Sequence, residues 1–374
     1  MQRNCLRMLA IVGLVLSSII YNYAAASPFK AGKESVKEWI KQYGFLTFET
    51  KTFLDQRDKK GAVEAMLGYI KERKDRSDES NLAYADTLFL MAEFNEDRFF
   101  ARYLYQKAKE IYAEYPDQSL RVADSYEGLI WTYDYLEADR LKVIELLEKS
   151  VEIRKKAPYS PQYSASLRIL AWFNELESNI DIAGELYHLA LEKDLANLGF
   201  NDIRTILAFE NYALFYIDYE DFLQAEAVLK EKKKLHESIT NQDLYNLGRT
   251  ESMLGWVTMR LGKESEAENY YLEALKNTNI SLTGDAKETH YYSITALFDL
   301  VYFYTETKRP ERAVPYYNRA TQLLSYTGEE DIFQFIQEVE PEKMDEEFSG
   351  TFPWSNRAHL KGVRTLLTYL DKRR

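Results

Sequence analysis

The sequence predicts an all-α protein built as a solenoid of antiparallel helix pairs, and three observations predict it. The chain of 374 residues contains 15 glycines and 8 prolines, which are too few for the many tight turns of β architecture. A pattern of small and aromatic residues recurs along the chain at helical spacing. Hydrophobic residues at 46% and charged residues at 29% give a globular balance, which argues against disorder.

Residues 1–26 predict an export signal, because a basic start precedes a short apolar run. Arg3 and Arg7 precede the apolar run from Met8 to Ile20. This run has 13 residues, fewer than the roughly 20 that a membrane span needs. Ala24-Ala25-Ala26 then offers a cleavage site. We therefore expect an exported protein, periplasmic or secreted, with a bacterial envelope favoured. The alternative is an uncleaved segment that associates the chain with a membrane.

The cysteine content and the charge exclude several function classes. Cleavage after Ala26 would remove Cys5, the single cysteine, and the mature chain could then form neither a disulfide nor a reactive thiolate. The formal charge is −12. An acidic chain is a poor nucleic-acid binder, since phosphate neutralisation needs clustered lysine and arginine. We expect no nucleic-acid partner.

Each copy of the repeat has a large residue followed by a small one in its first helix, and then a polar turn. The second helix opens with a small residue, has an aromatic residue or leucine four positions on, and another small residue three further on. The clearest copy has Leu254-Gly255, then Ala267, Tyr271 and Ala274. Small residues let two helices approach closely, and the aromatic ring fills the adjacent hole on the same helical face. The second helices open, at separations of 42, 40, 42, 42 and 46 residues, with Ala101, Val143, Ala183, Ala225, Ala267 and Ala313.

This pattern resembles the tetratricopeptide repeat (TPR) over roughly residues 80–326, in about six copies. Its period is similar to the extended variant of kinesin light chains and bacterial TPR proteins, and residues 186–216, LYHLALEKDLANLGFNDIRTILAFENYALFY, are especially similar to it. The resemblance implies a right-handed superhelix whose concave groove is lined by the first helices. Two departures are Trp131, which stands where a small residue is expected, and the absence of the family tryptophan near the start of the first helix.

The segments outside the array are expected to be helical but off-pattern. Residues 27–79 predict a helical segment with a degenerate repeat, and residues 80–326 form the array. Residues 327–374 combine an acidic stretch over 329–356 with a helix from Arg357 to Leu370, which we expect to cap the last repeat.

No motif of a known catalytic chemistry is present in the sequence. There is no H-E-x-x-H pair, no phosphate-binding G-x-x-x-x-G-K-[ST] loop and no G-x-S-x-G elbow. The four histidines, which are widely separated along the chain, are His188, His236, His290 and His359. We therefore predict a protein that is not an enzyme and that needs no metal or cofactor.

The resemblance also implies a binding site, because in TPR proteins the groove-facing residues of the first helix flank the large-small pair. Trp172 and Trp256 occupy equivalent positions two repeats apart, and Tyr302 is equivalent one repeat further on. Aromatic residues with interleaved arginine are typical of recognition surfaces. The alternative is that these rings fill the gaps between repeats. The predicted peptide- or partner-binding residues are Arg168, Trp172, Glu175, Glu210, Leu214, Arg249, Trp256, Met259, Phe298 and Tyr302.

The leading hypothesis is an exported, non-enzymatic scaffold that holds a peptide or a partner protein in its groove. Apolar stacking would come from the aromatic residues, and charge selection from Arg168 and Arg249. A second hypothesis is a structural subunit of a cell-envelope or secretion assembly, which binds through its convex face or its C-terminal extension. A third, a carbohydrate-active enzyme, is disfavoured because residues 27–79 and 327–374 are too few for a separate catalytic domain.

Overall fold

The fold was derived from a computed structural model, which describes residues 82–95, 97–133, 137–238, 244–280, 286–327 and 353–372, together with residues 61, 64–66 and 68. The predicted signal segment 1–26 lies outside the described residues, as do Cys5, most of residues 27–79 and most of the acidic stretch. The chain divides into two compact units, with the boundary after Asn197.

Thirteen α-helices account for nearly all of the described residues, which contain no strand. The N-terminal unit contains α1 (Leu82–Phe94), α2 (Arg98–Tyr112), α3 (Ser119–Ile130), α4 (Glu137–Lys156), α5 (Pro161–Leu176) and α6 (Ile180–Leu198), whose last residue crosses the boundary, and a 3₁₀ turn over Pro116–Gln118. The C-terminal unit contains α7 (Ile203–Asp218), α8 (Phe222–Ser238), α9 (Leu244–Arg260), α10 (Glu264–Ile280), α11 (Ala286–Glu306), α12 (Pro310–Thr327) and α13 (Pro353–Asp371).

The helices pack as successive hairpins, as the sequence predicts. Within the C-terminal unit, α7 packs on α8, α9 on α10 and α11 on α12, and each second helix also packs on the first helix of the next hairpin. Within the N-terminal unit, α1 and α2 form one hairpin and α3 and α4 another. The predicted fold class, an all-α solenoid of antiparallel TPR-like helix pairs, is therefore confirmed within each unit.

The small residues of the pattern lie where two helices touch. A Cβ atom added to Gly255 would come within 2.8 Å of the Tyr271 ring, so only glycine allows the ring of α10 to lie directly on α9 at this point. The small residues of the second helices are equally enclosed; those between 0% and 4% exposed are Ala101, Ala108, Ala183, Ala190, Ala225, Ala267, Ala274, Ala313 and Ala320. The sequence pattern predicted this close approach of the helices and the dense packing between them.

Four of the turns within hairpins have the same backbone conformation. In each, the residue five positions before the second helix's small residue is left-handed: Ser178, Glu220, Gly262 and Lys308, with φ between 59° and 74°. The next residue donates its N–H to the carbonyl five residues back, as Lys263 does to Thr258 at 2.9 Å and Arg309 to Tyr304 at 2.8 Å. This is the Schellman arrangement that ends helices, and it shows that the repeats coincide in backbone geometry as well as in sequence.

The off-pattern Trp131 coincides with an early helix end. Helix α3 stops at Ile130, and Trp131 is its C-terminal capping residue. In α5 and α9 the equivalent small residue is followed by five more helical residues, up to Leu176 and Arg260.

Candidate functional site

The predicted binding residues fall at three positions of the first helix: three residues before the small residue, one after it and four after it. Arg249 lies further back, at the same face of α9. Most of these positions are buried in contacts within the protein, whereas one group near the end of α9 stays partly accessible.

Two of the residues that stand three positions before the small residue, Arg168 and Glu210, make buried polar contacts. Arg168 of α5 is 4% exposed, and its Nη1 donates to Asp194 Oδ2 of α6 at 2.8 Å. The same carboxylate accepts a hydrogen bond from the Tyr159 hydroxyl at 2.6 Å. Arg168 is therefore committed to closing its own hairpin, and the prediction that it selects a partner by charge is wrong for this residue.

Glu210 occupies the equivalent position of α7 and is also buried. It accepts a hydrogen bond from Lys232 Nζ of α8 at 2.8 Å and pairs with Arg249 Nη2 of α9 at 2.9 Å. Burial alone would raise the pKa of Glu210, but the charges of Arg249 and Lys232 outweigh it and lower the pKa below its ordinary value. The three charges thus join three helices, and Glu210 faces them rather than solvent.

The position four residues after the small residue also contributes to hairpin closure. Tyr187 of α6 donates its hydroxyl hydrogen to Glu175 Oε2 at 2.7 Å, across a separation of 12 residues. Tyr105 and Glu93 make the same bond, at the same separation, in the first hairpin. Glu175 is therefore one half of a recurring tyrosine–carboxylate pair that closes the hairpin beside its turn.

Three predicted aromatic residues are buried. Trp172 is 2% exposed and its ring centroid lies 4.7 Å from that of Phe173. Phe298 and Tyr302 of α11 are 5% and 8% exposed. The expectation that these rings face an open groove is wrong, and the alternative, that the rings are packing residues, fits them.

Trp256 differs, because it is half-buried and belongs to an accessible group of side chains. Its ring meets that of Phe222, the first residue of α8, edge to face with centroids 5.6 Å apart. The guanidinium carbon of Arg260 lies 5.7 Å from the Trp256 centroid and 5.4 Å from the Phe222 centroid. We call Phe222, Trp256 and Arg260 the aromatic–arginine cluster.

The local sequence explains why the cluster points outward. Gly255 holds α9 against α10, and the next residue lies about 100° further round the helix, which turns Trp256 away from that contact. Arg260 follows Trp256 by four residues and so shares its face. The prediction included Trp256 and missed Phe222 and Arg260, although the four-residue spacing of tryptophan and arginine was a signal that could have identified the pair.

Arg260 is a cation without a carboxylate partner among the described residues. Its side chain is exposed and lies over the two aromatic rings, and its charge acts on Tyr302. Burial and the nearby Glu306 raise the pKa of Tyr302, whereas the positive charge of Arg260 acts in the opposite direction. The field of Arg260 therefore reaches the first helix of the next hairpin. Three other predicted binding residues, Met259, Leu214 and Arg249, are half-buried, as Trp256 is.

Two other kinds of feature are absent from the part of the chain that the structure describes. No group of three or more histidine, cysteine, aspartate or glutamate side chains there could hold a metal ion. None of the described helices combines the length and the apolar character that crossing a membrane requires.

No family model matches the chain, and no curated protein matches it. Among solved structures, the chain is similar to BtubC from P. vanneervenii at 16% identity and a TM-score of 0.48, over 62% of this chain and 91% of that chain. A putative kinesin light chain from Podospora anserina with nearly identical TPR-like repeats is 17% identical, with a TM-score of 0.44, over 56% and 99% of the two chains. The apo form of RapI is 13% identical, with a TM-score of 0.49, over 79% and 80%. At this level of similarity the TPR-like fold assignment rests on the helix pairs described above.

Proposed function

We propose that this protein is a non-enzymatic scaffold that binds a peptide segment of a partner protein at the aromatic–arginine cluster. The observation that carries the proposal is Arg260, an exposed guanidinium held over two aromatic rings with no carboxylate partner among the described residues. Arg260 is thus an exposed positive charge in a chain whose formal charge is −12.

The chemistry of the cluster suits a carboxylate beside an apolar group. Stacking on Trp256 and Phe222 restricts the arginine side chain, so less conformational entropy is lost when its N–H groups bind a partner. The free edge of a guanidinium binds a carboxylate through two parallel hydrogen bonds. Tryptophan and arginine are also the residues that most often dominate binding energy. We therefore expect a segment with an acidic side chain or a C-terminal carboxylate next to an apolar residue.

Selection from a randomised peptide display library against the full chain tests this proposal. Selected peptides should carry the expected carboxylate and apolar residue, and they should bind with micromolar affinity in calorimetry. Trp256→Ala and Arg260→Ala should each weaken binding at least tenfold, which corresponds to about 1.4 kcal/mol.

Arg319→Ala is the matched control, because Arg319 is exposed on α12 and its Nη1 donates to Gln322 Oε1 of the same helix at 2.8 Å. It should change the affinity less than twofold. Selected peptides that bind the Trp256→Ala and Arg260→Ala variants as well as the parent would show that the cluster is not the site.

We also propose that the protein is exported, on the basis of the sequence of residues 1–26. Expression in bacteria with a C-terminal tag, followed by fractionation and N-terminal sequencing, tests this. A mature chain that begins at Ser27 in the periplasmic fraction is the expected result. A cytoplasmic chain that retains Met1 would contradict it.

A second candidate function, an assembly subunit that binds through its second helices, is favoured by a different observation. Phe99 and Tyr103 of α2 are 80% and 56% exposed, and Phe100 is 40% exposed and stacks on Tyr103 with centroids 6.4 Å apart. A photo-crosslinking residue at position 99 tests this face. Specific crosslinking to another protein, unchanged in the Arg260→Ala variant, would favour this function over peptide binding.

A further inference from the structure

Helix α11 is enclosed at a position where the other first helices of the C-terminal unit are partly accessible. Tyr302 is equivalent to Trp256 and Leu214, which are half-buried, yet it is only 8% exposed. Phe298 and Thr305, one turn to either side, are 5% and 6% exposed. Some element must cover this face of α11, and that element is α13.

Helix α13 does not pack as another first helix would. In this unit a first helix packs on the second helix of the preceding hairpin, as α9 does on α8 and α11 does on α10, and it touches the preceding first helix only slightly. Helix α13 instead packs mainly on α11 and only slightly on α12. It therefore lies along a first helix, over the positions that the TPR resemblance implies for binding, rather than extending the array by one more step.

The contacts between α13 and α11 include polar bonds that solvent could replace. His359 Nε2 and Asp299 Oδ1 are 2.6 Å apart, and the other oxygen of Asp299 accepts a hydrogen bond from Ser252 of α9 at 2.7 Å. Further along, Lys361 Nζ lies 2.7 Å from Glu306 Oε2 in an exposed ion pair, of a kind that is worth little in water.

The apolar contacts of α13 include one close approach of two backbones. Val363 and Leu366 are fully buried in the core of the C-terminal unit, and Leu367, Tyr369 and Leu370 pack against that core while staying partly exposed. A Cβ atom added to Gly362 would lie 2.6 Å from the Cα atom of Tyr302, so the two backbones touch there. The His359 ring covers Phe298, with centroids 5.9 Å apart.

From these contacts we infer that the face of α11 formed by Phe298, Asp299, Tyr302 and Thr305 is a helix-binding surface, which α13 occupies in this chain and which an amphipathic helix of a protein partner takes over. The helix that fits has a glycine against Tyr302 and a basic residue against Asp299. The inference rests on the proposed scaffold function and adds the class of partner. Because Tyr302 adjoins Arg260, displacement of α13 also extends the aromatic–arginine cluster.

The connection between α12 and α13 permits this exchange. Helix α12 ends at Thr327 and α13 begins at Pro353, so 25 residues join them. At a maximum of about 3.3 to 3.6 Å per residue, this length lets α13 leave its place without unfolding α12.

The test uses the full chain and, as the probe, a fluorescently labelled peptide of residues 353–372. Gly362→Leu places a side chain against the backbone of Tyr302 and should displace α13 in the chain. We expect this variant to bind the labelled peptide at least tenfold more tightly than the unmodified chain, by fluorescence anisotropy. Thr365→Leu, which adds similar bulk at an exposed position of the same helix, should bind no better than the unmodified chain.

A second variant and a second measurement decide the matter if Gly362→Leu does not fold. His359→Ala combined with Lys361→Ala removes two polar contacts without adding bulk and should also increase peptide binding. In the unmodified chain, hydrogen exchange should reach the amides of α13 before those of α11 and α12, because local opening releases α13 alone.

Two results would overturn the inference outright, and a third would replace it with another arrangement. One is exchange of α13 only together with α11 and α12, and the other is failure of both folded variants to bind the peptide. A variant that forms a stable dimer and excludes the peptide would also overturn it, in favour of exchange of α13 between two copies. None of these results depends on the display-selected peptides, so failure of the proposed function at Arg260 is recognised separately.

Discussion

Trp172 and Trp256 occupy the same position of the repeat, yet one is enclosed and the other is accessible. Trp172 is 2% exposed and packs on Phe173. Trp256 is half-buried and carries the guanidinium of Arg260 on its face. The comparison teaches that the repeat pattern determines where a ring lies, whereas the neighbouring side chains decide whether solvent or a partner can reach it.

The arginines beside the two tryptophans differ in the same way. Arg168 precedes Trp172 by four residues and turns inward to Asp194, a carboxylate with no exposed surface. Arg260 follows Trp256 by four residues, at the end of its helix, and turns outward. Arg168 therefore supports the fold and Arg260 is available for recognition, although both lie one helical turn from a tryptophan.

The largest difference is expected between the two arginine substitutions. Arg168→Ala leaves the Asp194 carboxylate buried with only the Tyr159 hydroxyl, which should lower the free energy of unfolding by about 3 to 5 kcal/mol. Arg260→Ala removes an exposed side chain and should cost less than about 1 kcal/mol. Urea denaturation followed by circular dichroism measures both values. Losses of equal size would mean that the two arginines do not have separate roles.

The two tryptophans should differ next. Trp172→Ala creates a cavity at an enclosed site and should lower the free energy of unfolding by about 3 to 5 kcal/mol. Trp256→Ala should lower it by roughly 2 kcal/mol, since part of the ring is already solvated. The same denaturation experiment applies, with Arg319→Ala as an exposed control. A larger loss at Trp256 would reverse the comparison.

A pH dependence should separate the enclosed side of α9 from its accessible side. Burial raises the pKa of the Glu251 carboxyl from 4.5 to about 7, against the opposing effects of Asn277 and Lys233. The folded protein thus binds a proton that the unfolded chain releases, so this contribution is complete below pH 4.5 and is lost as the pH rises through 7.

The size of this contribution is roughly 2 to 3 kcal/mol between pH 4.5 and 8. Glu251→Gln should reduce the fall in the free energy of unfolding over this range by that amount, while Arg260→Ala should leave the fall unchanged. Urea denaturation at four pH values measures it. A parent and a Glu251→Gln variant with the same slope would show that another group titrates.

The smallest expected effects concern the equivalent turns of the two units. Ser178 and Glu220 have left-handed φ values of 64° and 59°, which cost about 1 kcal/mol for residues other than glycine. Ser178→Gly and Glu220→Gly should therefore each stabilise the protein by about 0.5 to 1 kcal/mol, and Gly262→Ala should destabilise it by a similar amount. Thermal unfolding detects these shifts. Gains of similar size at Ser178 and Glu220 would show that the repeats share one backbone geometry despite their different surfaces.

The sequence predicted the helix pairs well, because small residues at fixed spacing act directly on how closely two helices approach. Gly255 under Tyr271, and the buried alanines of the second helices, lie where the pattern indicated. The polar pairs between residues distant in sequence could not be predicted. Nothing in the local sequence distinguishes Glu210, which meets Lys232 and Arg249, from the many solvated glutamates of the chain.

The candidate site was predicted only in part, for a related reason. Burial at an equivalent position depends on residues distant in sequence, such as α13 over Tyr302 and Phe298. The sequence indicated a helix from Arg357 to Leu370, and a helix spans Pro353–Asp371, but no spacing rule identifies the contacts with α11, such as Gly362 against Tyr302 and His359 with Asp299, that set its position.

The shared turn geometry has a consequence for how such an array changes in length. Glu220 and Gly262 are 42 residues apart, with almost the same φ, and both follow a helix that ends in the same hydrogen-bonded loop. Removing the segment from one of these points to the other joins two backbone positions that already have matching direction. The chain can therefore lose or duplicate a whole hairpin through one recombination between equivalent codons, with no new turn to be evolved.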